Sequence, residues 1–241
     1  MKKFIRYRTL FPVYLLILAV FLAVGFFTDR TVTTLARTNA DRDRICIVID
    51  PGHGGEDGGA TSCTGVLESQ LNLEISLRLN DLLHLLGYDT RMIRQTDRSV
   101  YTKGVTLSEK KISDLKERVK IVNETPNAVL ISIHQNQFND SRYSGAQVFY
   151  AKTTGSDVLA KKLQDALVKH LNPGSNRKAK TAESVYLMKH IQVPGVLIEC
   201  GFLSNPQEEA LLRDAVYQKK LCAVIASVCS TFVPNICLKK A

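Results

Sequence analysis

The chain has 241 residues, 45% of them hydrophobic and 23% charged, and carries a formal charge of +9 at pH 7. Taking the four N-terminal cations Lys2, Lys3, Arg6 and Arg8 from +9 leaves +5, a mild excess that suits an anionic polymer such as a cell wall and, without a dense Lys/Arg patch interleaved with aromatics, argues against nucleic acid. Six cysteines would allow a disulfide framework, but about 200 residues after the N-terminal apolar run form too large and apolar a domain to need one.

In chain order, a basic start is followed by the uncharged run Leu10 to Phe27, interrupted only by Pro12 and Gly25. Residues 1–28 therefore read as an export signal, either a cleaved signal peptide or an uncleaved membrane anchor. Ala36 and Ala40 offer poor cleavage sites, which tilts the reading toward an anchor. The basic flank keeps the N-terminus cytoplasmic and puts the remainder outside the membrane, anchored or secreted. Residues 29–44 are a polar linker, 45–234 the folded domain and 235–241 a tail.

Ile45 to Ile49 is a β-branched strand that runs into the loop Gly52 to Gly65. Leu71, Ile75, Leu79, Leu82, Leu83 and Leu86 then mark an amphipathic helix stopped at Gly87. Tyr88 to Ile93 predicts a second strand, and Ile112, Leu115, Val119 and Val122 a second helix. Val129 to Ile133 and Ala146 to Tyr150 are further strands, and Val158 to Leu171 is a third helix. Pro194 to Cys200 is a last buried strand, followed by a short helix capped at Asn205-Pro206 and a final one over Val216 to Phe232. The alternation predicts a single α/β domain: a twisted, mostly parallel sheet with helices on both faces. Cys46, Cys200, Cys222 and Cys229 fall at core positions, whereas Cys63 and Cys237 are expected to be exposed.

Chemistry concentrates at the strand ends. His53 and His134 each follow an apolar strand, so a parallel sheet brings both to the carboxyl edge, where open α/β sheets keep their ligands. Glu68, at the start of the first helix, can reach the same crevice. Two histidines and a glutamate leave one position open on a catalytic zinc ion. Taken singly, each residue has a plain structural reading: a hydrogen-bonded histidine after a strand, or a carboxylate complementing a helix dipole. His84 and His170 are explained by their helices, and His190 is a reserve ligand. Glu199 lies in the otherwise apolar Val196-Leu197-Ile198-Glu199-Cys200, where a carboxylate is costly unless functional or paired; its partner could be Arg94 or Arg118. The glycine loop has neither phosphate-binding pattern, because Asp57 stands where Gly-x-Gly-x-x-Gly needs its last glycine.

The strings IDPGHGGEDGGA (49–60), LESQLNLEISLRL (67–79), ERV with Asn123 (117–123), LISIHQN (130–136) and VLIECGFLSNPQE (196–208) resemble the zinc-dependent N-acetylmuramoyl-L-alanine amidases of the amidase 3 type. The resemblance implies one Zn²⁺ held by His53, Glu68 and His134, with Glu199 catalytic and Asn136 a substrate-binding or supporting residue. It also implies a peptidoglycan substrate, cut between the lactyl group of N-acetylmuramic acid and L-alanine of the stem peptide. Gln135 and Cys200 depart from the residues common in that family. A bare domain with SIHQNQFND is similar to the germination-specific members of endospore-forming bacteria, which strip muramic acid before δ-lactam formation in the cortex. Two alternatives stay open: a zinc peptidase cutting within the stem peptide, and a non-catalytic wall-binding module. The lack of a wall-binding repeat leads us to expect an accessory protein that localises the enzyme or completes its site, with membrane contact through residues 1–28 if they are retained.

Overall fold

The computed structural model describes residues 44–237, with side chains to residue 232. The expected signal or anchor, and all of the linker but Arg44, lie outside the described residues. Among the described residues no helix is long and apolar enough to cross a membrane.

Six strands form one sheet: β1 (Cys46–Pro51), β2 (Asp89–Met92), β3 (Ala128–Asn136), β4 (Gln147–Tyr150), β5 (Lys180–Thr181) and β6 (Gly195–Phe202), in the spatial order β2-β1-β3-β6-β4-β5. β2, β1, β3 and β6 run parallel, whereas β4 is antiparallel to β6 and β5 follows β4. The expectation of a mostly parallel sheet holds, with a reversed edge. No helix separates β3 from β4, so there is no crossover to turn the chain back into a parallel strand. The short β5 and the helix α4 (Tyr186–His190) escaped the sequence reading because neither is long enough to show a period.

Alternate residues of the central strands face opposite layers. Ile47, Ile49, Ile131, Ile133 and Ile198 pack with helices α1 (Glu68–Leu85), α3 (Ser156–His170) and α6 (Ala215–Cys237). Val48, Leu130 and Leu197 pack on the other face with Val122 of α2 (Leu107–Asn123) and with Leu187 and Met188 of α4. A short helix α5 (Pro206–Arg213) begins at the Asn205 cap, as predicted. The final helix runs to Cys237, into the segment expected to be a tail. Cys200, Cys222 and Cys229 are buried, Cys46 is half-buried at the start of β1, and Cys63 is exposed; all five are free thiols.

Two buried arginines fix the loop that leaves β1. Arg118 of α2 donates from Nη1 to Asp50 Oδ1 at 2.5 Å and to the Pro51 carbonyl at 2.9 Å, and from Nη2 to the His53 carbonyl at 2.7 Å. Its Nε meets Asp114 Oδ2 at 2.6 Å, and Ser132 donates to the other Asp50 oxygen. Burial opposes ionisation of Asp50, but Arg118, together with His134 and the Ser132 hydroxyl, outweighs it and holds the carboxyl below its ordinary range. Arg94 donates to the carbonyls of Pro51, Gly52 and Ser69. Neither arginine touches Glu199, so the ion pair considered for that residue is absent.

Removing one partner of a buried ion pair leaves an uncompensated charge. Arg118→Met should therefore cost about 3–5 kcal/mol of unfolding free energy in urea titrations. A loss under about 1 kcal/mol would mean that the Asp50 pair is not structural.

Candidate metal centre

Beyond Pro51 the chain turns sharply across the end of the sheet. His53 takes a left-handed backbone conformation, φ 59°, which side chains disfavour and which the Arg118 bond to its carbonyl helps to hold. The Gly52 amide still continues the ladder by donating to the Ile133 carbonyl, and a Cβ on Gly52 would overlap the His134 ring. Gly59 is the second close approach: at φ +69° a Cβ there would lie 2.6 Å from Glu68 Oε2.

Glu68 stands at the first position of α1 and joins the two histidines. Its Oε2 lies 3.2 Å from His53 Nε2, and its Oε1 lies 3.0 Å from His134 Nδ1. One ligand atom from each of His53, Glu68 and His134 falls within 4.8 Å of the others, a group that could hold a metal ion. The Ala60 amide donates to Oε2, while the Gln135 amide and Asn72 Nδ2 donate to Oε1. Asn72 also bonds the Gly52 carbonyl and receives Gln135 Nε2. On the far side of His53, Nδ1 lies 2.9 Å from Asp57 Oδ2. An Nδ1–H donated to that carboxylate leaves the Nε2 lone pair facing Glu68, the arrangement that orients metal-binding histidines.

The electrostatics favour a cation here. Burial opposes ionisation of Glu68, but hydrogen bonds from His134 and His53 outweigh it and hold the carboxyl far below its usual range. Burial disfavours a charged His53, yet Asp57 and Glu68 together raise it to about 9. Asp57 is held low by His53 and by Lys111. Glu199 lies directly opposite His134 in the β3–β6 ladder, one residue before the register shifts. Its Oε2 is buried without a hydrogen-bond partner, and burial pushes its carboxyl up to about 7. Two nitrogens and one carboxylate oxygen, with a second carboxylate unpaired beside them, suit a zinc ion with one open position.

The four residues singled out from strand ends and the first helix thus come together. Asn136 does not join them: its carbonyl accepts from Leu203, and no side-chain contact to the group occurs among the described residues. His190 lies on α4, where Nδ1 bonds the Tyr186 carbonyl and the ring stacks on Tyr186, so the reserve ligand is not needed. His84 is paired with Thr90. Asn123 bridges to the His190 carbonyl and the Gln192 amide and serves the fold. The sequence reading missed Asp57, Asn72 and Gln135 as supports. Asn72 had left a signal, being one helical turn beyond Glu68.

Residues 47–229 match the amidase 3 family model, described as N-acetylmuramoyl-L-alanine amidase, and the chain belongs to that family of hydrolases. Among its relatives, it is 41% identical over 181 residues to the germination-specific N-acetylmuramoyl-L-alanine amidase of Bacillus subtilis, covering 74% of this chain and 76% of that one. It is 32% identical to the amidase LytC of the same organism, over 74% of this chain but only 34% of that longer protein. The solved structure of the CwlD amidase of Clostridioides difficile, in complex with the GerS lipoprotein, superposes with a TM-score of 0.76 at 36% identity, covering 80% of this chain and 100% of that one.

Burial holds the Glu199 carboxyl at about 7 in the fold against an ordinary 4.5 in the unfolded chain, so it binds more protons in the folded state between those values. Its contribution to the stability of the metal-free protein therefore falls as pH rises through that window, by roughly 3 kcal/mol. In chelator-treated samples, Glu199→Gln should gain on the wild type by about that amount between pH 4 and pH 8. A stability difference independent of pH would show that Glu199 is solvated or paired.

Proposed function

We infer that this protein is a zinc-dependent amidase that hydrolyses the bond between the lactyl group of N-acetylmuramic acid and L-alanine of the stem peptide. The observation that carries the reading is the pairing of the His53/Glu68/His134 group with an unpartnered Glu199 across one strand ladder. His53, Glu68 and His134 would hold the ion, through His53 Nε2, a Glu68 oxygen and His134 Nδ1, and when bound it would supply Lewis-acid polarisation of the scissile carbonyl. Asp57 fixes the His53 tautomer, and Asn72 and the Gln135 amide hold Glu68 in place. Glu199, with a carboxyl tuned toward neutrality by burial, takes a proton from the attacking water and passes it to the departing L-alanine amine.

The action is extracytoplasmic, as befits a family of cell wall amidases, with residues 1–28 directing export, whether cleaved or retained as an anchor. Similarity to the germination-specific enzyme of B. subtilis supports a role in spore cortex, where removal of the peptide precedes muramic δ-lactam formation. The CwlD structure holds a lipoprotein partner, which supports the expectation of an accessory protein here. Asn136 stays in this reading as a substrate contact at the end of β3.

Mass spectrometry of muropeptides digested with and without a chelator separates the readings. The amidase yields sugars free of peptide and new L-alanine amino termini, only without chelator. A peptidase acting within the stem would leave L-alanine on muramic acid, and a wall-binding module would change nothing. Glu199→Gln should keep its zinc by elemental analysis and lose activity by about 100-fold or more, whereas His53→Ala and His134→Ala should lose the metal. Full turnover by Glu199→Gln would remove it from the chemistry.

A further inference from the structure

The reversed edge of the sheet carries a feature that the metal centre does not use. A cleft of about 930 Å³ is lined by Tyr143, Gln147, Asn172, Arg177, Lys178 and Lys180, among other residues, none of them acidic. Because β4 and β5 run against β6, their amino ends lie at the edge where β3 and β6 present His134 and Glu199. Gln147 faces Glu199 in the β4–β6 ladder, so the cleft begins one strand beyond Glu199 and two beyond His134, about 10 Å at ordinary strand spacing.

Its cations are available. Lys178 and Lys180 are exposed and make no ion pair among the described residues. Arg177 is held from behind: its Nε donates to the Ser144 carbonyl at 2.8 Å, its Nη1 approaches Gln147 Oε1 at 3.4 Å, and its guanidinium lies 4.8 Å from the centre of the Phe202 ring. Glu208, near enough to Arg177 to feel its charge, is occupied by the amides of Gly145 and Phe202. On the opposite flank of the metal group, Lys110 and Lys111 are neutralised by Glu56 and Asp57. Unpaired positive charge therefore borders the centre on the β4–β5 side.

We propose that this cleft is the stem-peptide subsite, in which Arg177, Lys178 and Lys180 bind a free carboxylate of the second or third residue beyond the scissile bond. The assignment rests on the amidase reading, which sets that bond at the His53/Glu68/His134 group. An extended peptide covers about 10 Å in three residues. The stem supplies acids at that reach: D-glutamate linked through its γ-carboxyl keeps a free α-carboxylate, and diaminopimelate carries another. A bidentate guanidinium flanked by ammonium groups is suited to such an anion.

The test uses a muramoyl tetrapeptide, in which the terminal D-alanine leaves one free carboxylate on D-glutamate and one on diaminopimelate, a form amidated at D-glutamate and a form amidated at diaminopimelate, with the zinc-loaded full chain and its Lys178→Gln/Lys180→Gln variant. Both lysines are exposed, so the variant should fold as the wild type does. In the wild type, one of the two amidations should raise KM about tenfold with little change in kcat, and so identify the carboxylate that is read. The double variant should lose most of that preference, and Arg177→Met the remainder. Equal KM for all three substrates, or a preference unaltered in the lysine variant, would overturn the subsite while leaving the amidase reading intact. No peptide release from any substrate by the wild type would overturn the amidase reading and the subsite with it.

Discussion

A buried carboxylate set between two imidazoles and accepting hydrogen bonds from two backbone amides organises the whole edge of this sheet. Glu68 could not stay ionised at that depth without His53, His134, Ala60, Gln135 and Asn72 around it. Its place at the first turn of α1 adds the favourable end of a helix dipole. The glycine loop follows from the same demand. Gly52 and Gly59 are small because the His134 ring and the Glu68 carboxylate occupy the space where their side chains would be. Moving either wall would pull the ligands apart.

Two groups of buried charge lie close together and are balanced differently. Asp50 is neutralised within the protein by Arg118, which also holds the backbone at Pro51 and His53. Glu68 and Glu199 have no arginine, since Arg94 is committed to loop carbonyls and Arg118 to Asp50, and Glu68 leans instead on the imidazoles of His53 and His134. The first group makes the loop rigid, and the second leaves two carboxyls and two imidazoles facing one another in a pocket of fixed shape. A divalent ion would be coordinated by such a set, and a rigid frame would let it be held without reorganisation.

The readable part of this architecture was the part governed by periodicity and strand ends. Four parallel strands, the major helices and the addresses of His53, Glu68, His134 and Glu199 all follow from apolar runs and their termini. Contacts made across irregular backbone were not readable. Asp57 reaches His53 only because the loop reverses on itself through the backbone bridge between Gly54 and Asp57. Arg94 and Arg118 looked like partners for Glu199 because charge pairing is visible in composition, whereas the carbonyls they bind are not. The direction of β4 was equally hidden, since it depends on β6 being inserted between β3 and β4 much later in the chain.

That insertion divides the domain by function. The loop leaving β1, the strands β3 and β6 and the start of α1 carry every residue of the metal group and Glu199, while β4, β5 and the segments leading into them contribute only walls beside it. The two halves share the antiparallel ladder between β4 and β6. Segments 137–146 and 171–180 supply no atom of the His53/Glu68/His134 group. A candidate metal group on one half and a separate rim on the other would let a single scaffold be refitted to walls of different composition, and it makes those two segments the place to graft a new preference.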